Sequence, residues 1–363
     1  MRIALVTPAF SPEVGGVESY VRNLAIQLVK IGHDVDVLTQ CPRGSRRVWN
    51  ASEDPSGTRV IRFEDWSGGR RFRTAPGLWT HLKRHGAAYD VIHVHNLSDF
   101  PALAVTYATD RPMVLSPFYH GRGHTPAARA LHVPFDRLAQ RIVKRASYVL
   151  CVSDAEVAAI ARAYPGTADR IRTVGIGIDI ESIRQSIPFD NERPVVLIMG
   201  RLEAYKHAEL GLEAFAHSES DAQMIIIGTG SERERLTARI DELGVGDRVR
   251  MLGHVDDAEA RRWQRTARVV MTLSSAESFG LGAAEAVAAG ANVVASDIPA
   301  HREVASMVGG VFELVPLGAS VERVSASLRR SFAAERERTV RSTLPTWNEV
   351  CSRIVDLYEM AQR

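Results

Sequence analysis

The chain has 363 residues, 45% of them hydrophobic and 24% charged, with a formal net charge of +2. At roughly 150 residues per domain that is enough for two domains with full cores. It excludes a largely disordered chain and bulk electrostatic binding of nucleic acid, and no apolar run reaches the ~18–20 residues that span a bilayer. The first residues run straight into a strand pattern and do not read as a cleaved signal. Cys41, Cys151 and Cys351 are far apart, with neither metal-type spacing nor a disulfide framework, which fits a reducing cytoplasm.

Strand-like apolar runs occur at 2–7, 34–39, 90–95, 113–116 and 147–152. Between the first two, Val17, Val21, Leu24, Leu28 and Ile31 recur at spacings of three and four, predicting a helix that stops at Gly32. A second series begins near 195 and continues at 223–228, 248–251, 268–273 and 292–295. Near-continuous apolar strands alternating with helices imply an α/β chain whose parallel sheets are covered on both faces. The polar stretch 180–194, with Pro188 and Pro194, is the expected seam. The division is therefore an N-terminal domain over 1–182, a second Rossmann-like domain over 195–345, and a final helix over 346–363. Residues 41–58 and 64–76 read as surface loops.

The charge is uneven. Residues 1–185 carry +7 and residues 186–363 carry −5, and only Lys30, Lys83, Lys144 and Lys206 are lysines among 45 basic residues. Two domains with different ligands would produce such a split.

Three motifs have chemical potential. Gly15-Gly16 lies between the first strand and the first helix, where glycine permits close ligand approach and a helix N-terminus offers free N–H groups to an anion. Arg201 and Lys206 follow the first strand of the second half, where two cations can clamp a diphosphate. Glu277 and Glu285 flank a glycine turn into an Ala-rich helix, so that two carboxylates and several backbone N–H groups face one site. Each also has a plain structural reading: a tight turn, solvated cations, ordinary helix acids.

The Glu277–Glu285 spacing resembles the E-x7-E motif of glycosyltransferase family 4, the retaining glycosyltransferases of GT-B fold. The likeness extends over 13–39, 90–96, 200–215, 227–236, 252–257 and 277–304. It implies two Rossmann-like domains with parallel sheets facing a central cleft, the final helix crossing back onto the first. It implies a sugar moved from a UDP- or GDP-sugar to a hydroxyl of a small-molecule, glycan or lipid-linked acceptor, with no metal and no further cofactor. On this resemblance Gly15 and Gly16 face the donor phosphates, His120 lies beside the transferred sugar, and Arg201 and Lys206 neutralise the leaving diphosphate. Glu277 binds sugar hydroxyls together with the backbone of Phe279, Gly280 and Leu281. Glu285 holds the ribose, and the backbone at His254 and Val255 forms the base pocket. The chain departs from the family at Gly175-Ile176-Gly177-Ile178-Asp179 and at Gly228-Thr229-Gly230-Ser231, which bear on the linker and on a donor-side loop.

His95 is a weaker acceptor-side candidate. Arg70, Arg71 and Arg73 form a short basic run suited to an anionic acceptor or membrane surface, which fits a cytoplasmic protein peripheral to the inner face of a membrane. Asp34-Val35-Asp36 has the spacing of a metal-binding pair, but a strand position behind Gly32-His33 disfavours that role. The alternatives are a nucleotide-sugar epimerase on the same fold, a non-catalytic nucleotide-binding module and an NAD-dependent dehydrogenase.

Overall fold

The computed structural model describes residues 1–13, 15–44, 57–67, 74–119, 137–218, 221–308, 312–335 and 343–363. Strands β1 (Arg2–Val6), β2 (Asp34–Cys41), β3 (Arg59–Glu64), β4 (Val91–His95), β5 (Met113–Ser116), β6 (Tyr148–Cys151) and β7 (Ile171–Thr173) form one sheet in the order β3-β2-β1-β4-β5-β6-β7. Strands β8 (Val195–Met199), β9 (Gln223–Ile227), β10 (Val249–Gly253), β11 (Ala267–Thr272), β12 (Asn292–Ser296) and β13 (Phe312–Val315) form a second, β10-β9-β8-β11-β12-β13. Every pair is parallel. The order reverses between β1 and β4 in one sheet and between β8 and β11 in the other. At such a switch point the flanking helices diverge and leave a crevice beyond the strands' carboxyl ends.

The apolar-run pattern does not pick out β3, β7 and β13. All three are sheet edges, and each carries charge on a short run (RVIRFE, IRT, FELV). Edge strands bury less and are kept soluble by such residues.

The helices are α1 (Gly16–Lys30), α2 (Pro76–His85), α3 (Phe100–Ala108), α4 (Asp154–Ala163), α5 (Ile180–Gln185), α6 (Ala208–Ala216), α7 (Arg233–Glu242), α8 (Asp257–Thr266), α9 (Leu281–Ala288), α10 (Pro299–Met307), α11 (Val321–Ala333) and α12 (Trp347–Ala361). Helix α1 buries Tyr20, Val21, Leu24, Ala25 and Leu28. It ends one residue short of Ile31, which is 55% exposed because the chain turns away there. Gly32 adopts φ 87° while its N–H bonds Val29 O and that of His33 bonds Leu28 O, a left-handed C-terminal stop.

The chain divides into two compact units, Met1–Ile176 with Trp347–Arg363, and Gly177–Thr346. Each has its own core of aliphatic strand and helix residues. The division falls ahead of the polar 180–194 stretch for a local reason. Ile178 bridges to Thr346, its N–H bonds Pro345 O at 2.8 Å, and α5 packs on α8 and α9. Asp179 caps α5 by accepting the Ser182 N–H at 3.2 Å, so the Gly175–Asp179 departure leads into an ordered helix start.

No helix among the described residues is long and apolar enough to cross a membrane.

Candidate functional site

In the unit Gly177–Thr346, a recess lies at the carboxyl ends of β8 and β11, lined in part by Gly200, Arg201, Lys206, His207, Thr272 and Ser274. This is the switch point of that sheet. The 200–203 loop that lines it is in close backbone contact with a second loop, 228–232. Gly200 N–H bonds Ile227 O, Leu202 N–H bonds Thr229 O, and Glu232 N–H bonds Leu202 O. A Cβ on Gly228 would lie 1.8 Å from Gly200 O, and one on Gly230 would lie 2.2 Å from Leu202 O. Only glycine fits at either place. The Gly228-x-Gly230 pair is thus a packing device that brings the 228–232 loop against the 200–203 loop, and Ser231 adds a bond to Glu203 at 3.0 Å.

Arg201 and Lys206 come together around a residue that the motif reading omits. Tyr205 accepts a hydrogen bond from Arg201 at 2.7 Å, and its ring lies 5.8 Å from the Arg201 guanidinium and 5.3 Å from Lys206 Nζ. Its carbonyl is in turn held by the Ser275 N–H at 2.8 Å. Lys206 Nζ donates to Glu277 Oε1 at 2.5 Å, and Ser274 Oγ donates to the same oxygen at 2.6 Å. Both partners converge on Oε1. Among the described residues, no hydrogen bond reaches Oε2. The carboxylate is therefore oriented through one oxygen and leaves the other as an acceptor. Burial pushes the Glu277 carboxyl up, but the Lys206 ammonium and the two hydrogen bonds outweigh it and hold it below its ordinary range. It stays charged at neutral pH.

Glu277 precedes α9, as the spacing predicts. Phe279 is buried, Gly280 is the N-cap with φ 90°, and Leu281 opens the helix. Glu285 lies one turn further on and is half-buried. Gln264, on α8, donates to Glu285 Oε2 at 2.8 Å. Burial pushes Glu285 up to about 7, with the Gln264 bond opposing. His254 is exposed and Val255 half-buried in the turn after β10, ahead of Asp256, which caps α8. Sequence reasoning missed Tyr205, Ser274 and Gln264. Serine, tyrosine and glutamine carry no charge, and only the fold brings them to the motif residues.

In the other unit, Gly15 and Gly16 begin α1. Gly15 is extended at φ −173° and a Cβ on Gly16 meets nothing within 4 Å. Neither glycine is required by a left-handed backbone, which removes the tight-turn reading; the space beside Gly16 is open, while the Glu18 carboxylate lies 2.3 Å from where a Cβ on Gly15 would stand. His93 and His95 share a face of β4, with ring centroids 4.1 Å apart. Both are wholly buried, so His95 belongs to the packed interior of its unit and does not line an open surface. His93 pairs with Tyr358 at 2.6 Å and Ser116 at 2.8 Å, which ties α12 to the sheet. Burial pushes His95 down to about 3, so it is neutral. Phe118 has φ 48°, strained for a bulky residue, and its ring sits 5.1 Å from Tyr20. Next to it, buried Glu156 accepts the N–H groups of Tyr119 and Val152 at 2.5 and 2.7 Å. His120, Arg70, Arg71 and Arg73 lie outside the described residues.

The Asp34-x-Asp36 pair is engaged in packing. Asp36 is fully buried, bonded bidentately by Arg59 and at 2.7 Å by Tyr89, while Asp34 points to solvent.

Comparison with known proteins accords with this geometry. Residues 14–182 match the family described as Glycosyltransferase Family 4, and residues 179–323 match Glycosyl transferases group 1. The phosphatidyl-myo-inositol mannosyltransferase of Propionibacterium freudenreichii is 27% identical, over 99% of this chain and 95% of that protein. The GDP-mannose:cellobiosyl-diphosphopolyprenol alpha-mannosyltransferase of Komagataeibacter xylinus is 28% identical, over 99% and 93%. Anabaena HepE in complex with UDP-glucose superposes with a TM-score of 0.73 at 19% identity, over 99% of this chain and 98% of that one. With two parallel-sheet α/β units in the GT-B architecture, the chain belongs to glycosyltransferase family 4.

Proposed function

We propose that this glycosyltransferase takes a hexosyl unit from a UDP- or GDP-sugar and passes it, with its anomeric configuration retained, to a hydroxyl of an anionic, lipid-linked or polyol acceptor. The observation that carries the donor side is Glu277, fixed through Oε1 by Lys206 and Ser274 and open at Oε2, beside the Arg201–Tyr205–Lys206 cluster. A charged oxygen that only accepts suits sugar hydroxyls, and two cations suit a diphosphate.

The chemistry follows from charge. Breaking the bond between the anomeric carbon and the phosphate oxygen leaves an oxocarbenium-like sugar and a diphosphate with added negative charge. Arg201, Lys206 and the N–H groups at the start of α9 stabilise that charge where it develops. The acceptor hydroxyl adds to the same face of the sugar, and its proton passes to the departing phosphate oxygen. No metal is called for, since side-chain cations meet the diphosphate. Glu285 takes the ribose hydroxyls, and the backbone at His254 and Val255 takes the base.

For the acceptor, support comes from the +7 balance of residues 1–185 and the open space beside Gly16 at the start of α1. The names of two relatives, phosphatidyl-myo-inositol and diphosphopolyprenol, fit the same class. An acceptor of this kind places the enzyme at a membrane surface, on the cytoplasmic side. Thermal-shift screening of nucleoside diphosphates, followed by mass spectrometry of transfer from the matching sugar donors to inositol and lipid-diphosphate acceptors, tests the reading. Stabilisation by UDP or GDP and a mass gain of one hexose are expected. No nucleotide response and no transfer would overturn it.

A further inference from the structure

His301 stands behind the donor loop and has no part in the motif. It is the third residue of α10 and wholly buried. Its Nδ1 lies 2.9 Å from Ser296 O. A carbonyl only accepts, so Nδ1 carries the proton and Nε2 is a bare acceptor. That Nε2 is buried with no hydrogen-bond partner among the described residues. A buried, unpaired acceptor costs free energy that a leucine of similar volume would not. Packing alone therefore does not account for a histidine here.

The ring faces two parts of the proposed donor site. Its Cδ2 lies 2.9 Å, and Nε2 3.6 Å, from where a Cβ on Gly280 would stand, so it fills the space behind that left-handed corner. Through Ser296 it also reaches Glu277. Ser296 Oγ is 3.2 Å from Nδ1 and donates to the Ser274 carbonyl, while Ser274 Oγ donates to Glu277 Oε1. Burial holds the imidazole below its ordinary pKa, with Glu277 and Lys206 both in electrostatic reach. A neutral ring leaves Lys206 as the cation paired with Glu277.

We infer that His301 is a positioning residue for the transferred sugar, fixing the Gly280 corner and, through Ser296 and Ser274, the open oxygen of Glu277. This rests on the donor reading above. Titration calorimetry with UDP, UDP-glucose, GDP and GDP-mannose separates the contribution of the sugar from that of the nucleotide. His301→Leu keeps the volume and removes both nitrogens. It is expected to leave nucleoside diphosphate affinity within twofold, and to lower sugar-nucleotide affinity and kcat/KM about tenfold or more. His301→Asn, which keeps an N–H near Ser296 O, is expected to recover part of that loss, and it carries the test alone if the leucine variant does not fold. Wild-type sugar binding and turnover in both variants would overturn the inference. So would an equal loss for nucleotide and sugar nucleotide with a lowered Tm, which marks a purely structural role. If Glu277→Ala loses sugar binding and the His301 variants do not, only this inference fails. If Glu277→Ala binds sugar nucleotide normally, the donor reading itself fails.

Discussion

Lys206 and Glu277 neutralise one another at the rim of the recess, yet they are expected to fail differently when removed. The ammonium is assigned to charge that grows only as the sugar–phosphate bond breaks. Lys206→Ala should therefore lower kcat by about 10²–10³-fold, with a smaller change in donor KM. Glu277→Ala removes contacts to the sugar itself and should raise donor KM as well as lower kcat. The pair is partly exposed, 25% and 19% at the side chains, so stability should change little in either variant. Steady-state kinetics with Tm as a control checks both. Near-normal turnover in either variant would remove that residue from the site. Glu285 carries a second prediction at this scale. Its pKa is raised to about 7 by burial, so the folded chain holds a proton that the unfolded chain releases at the ordinary value of 4.5. The stability associated with this proton is present below about 4.5 and is lost as pH rises toward and through 7. Glu285→Gln does not titrate. It should melt a few degrees above wild type at pH 8 and close to it at pH 5, while binding nucleotide more weakly. An equal offset at both pH values would show that ionisation is not the cause. Glu156, raised to about 8, adds dependence of the same sign to both proteins and drops out of the comparison.

At the scale of elements, some glycines are needed by the fold and others, Gly16 among them, are not. A Cβ on Gly16 meets open space, so Gly16→Ala should keep or slightly raise Tm, since alanine in a helix is worth up to about 1 kcal/mol over glycine. If the start of α1 receives an anionic group of donor or acceptor, the same methyl should cut transfer at least tenfold. Gly230→Ala is the converse, because its Cβ runs into the Leu202 backbone, and it should lower Tm and sugar-nucleotide binding together. The sequence distinguishes neither case, since glycine at a strand-to-helix turn looks the same whether it serves a ligand, a left-handed φ or the approach of another loop. For the same reason the packing role of the Gly228-x-Gly230 pair shows only once the 200–203 loop is seen against it. What is legible are features that recur along the chain: buried central strands, the 3.6-residue period of α1, and the Glu277–Glu285 spacing across the start of α9. Edge strands β3, β7 and β13 are not, because their short, partly charged runs meet the sheet on one side only. Nor are Tyr205, Ser274, Gln264 and His301, whose roles arise from partners 3 to 70 residues away.

At the scale of the whole molecule, the last helix belongs with the first unit. Helix α12 buries Trp347, Val350, Cys351, Ile354, Leu357 and Tyr358. The Trp347 ring packs at a tilt on Tyr20, centroids 5.3 Å apart, and the Tyr358 hydroxyl holds His93. Six buried side chains at ~1.5–3 kcal/mol each are comparable to the whole net stability of a domain. Removing residues 347–363 should therefore unfold the first unit, although the cut lies outside both sheets. The second unit keeps its own core and Arg201, Lys206, Glu277 and Glu285. Calorimetry should resolve this. UDP or GDP at about 100 times its Kd stabilises whatever binds it by about 2.7 kcal/mol. In the full chain, the transition that moves with nucleotide is expected to be that of the second unit. In the truncated chain, that transition should remain and still move with nucleotide, while the first unit's transition is lost or falls to low temperature. Loss of the nucleotide-dependent shift on truncation would mean that nucleotide binding depends on the first unit, and the assignment of the donor to the Gly177–Thr346 unit would then fall.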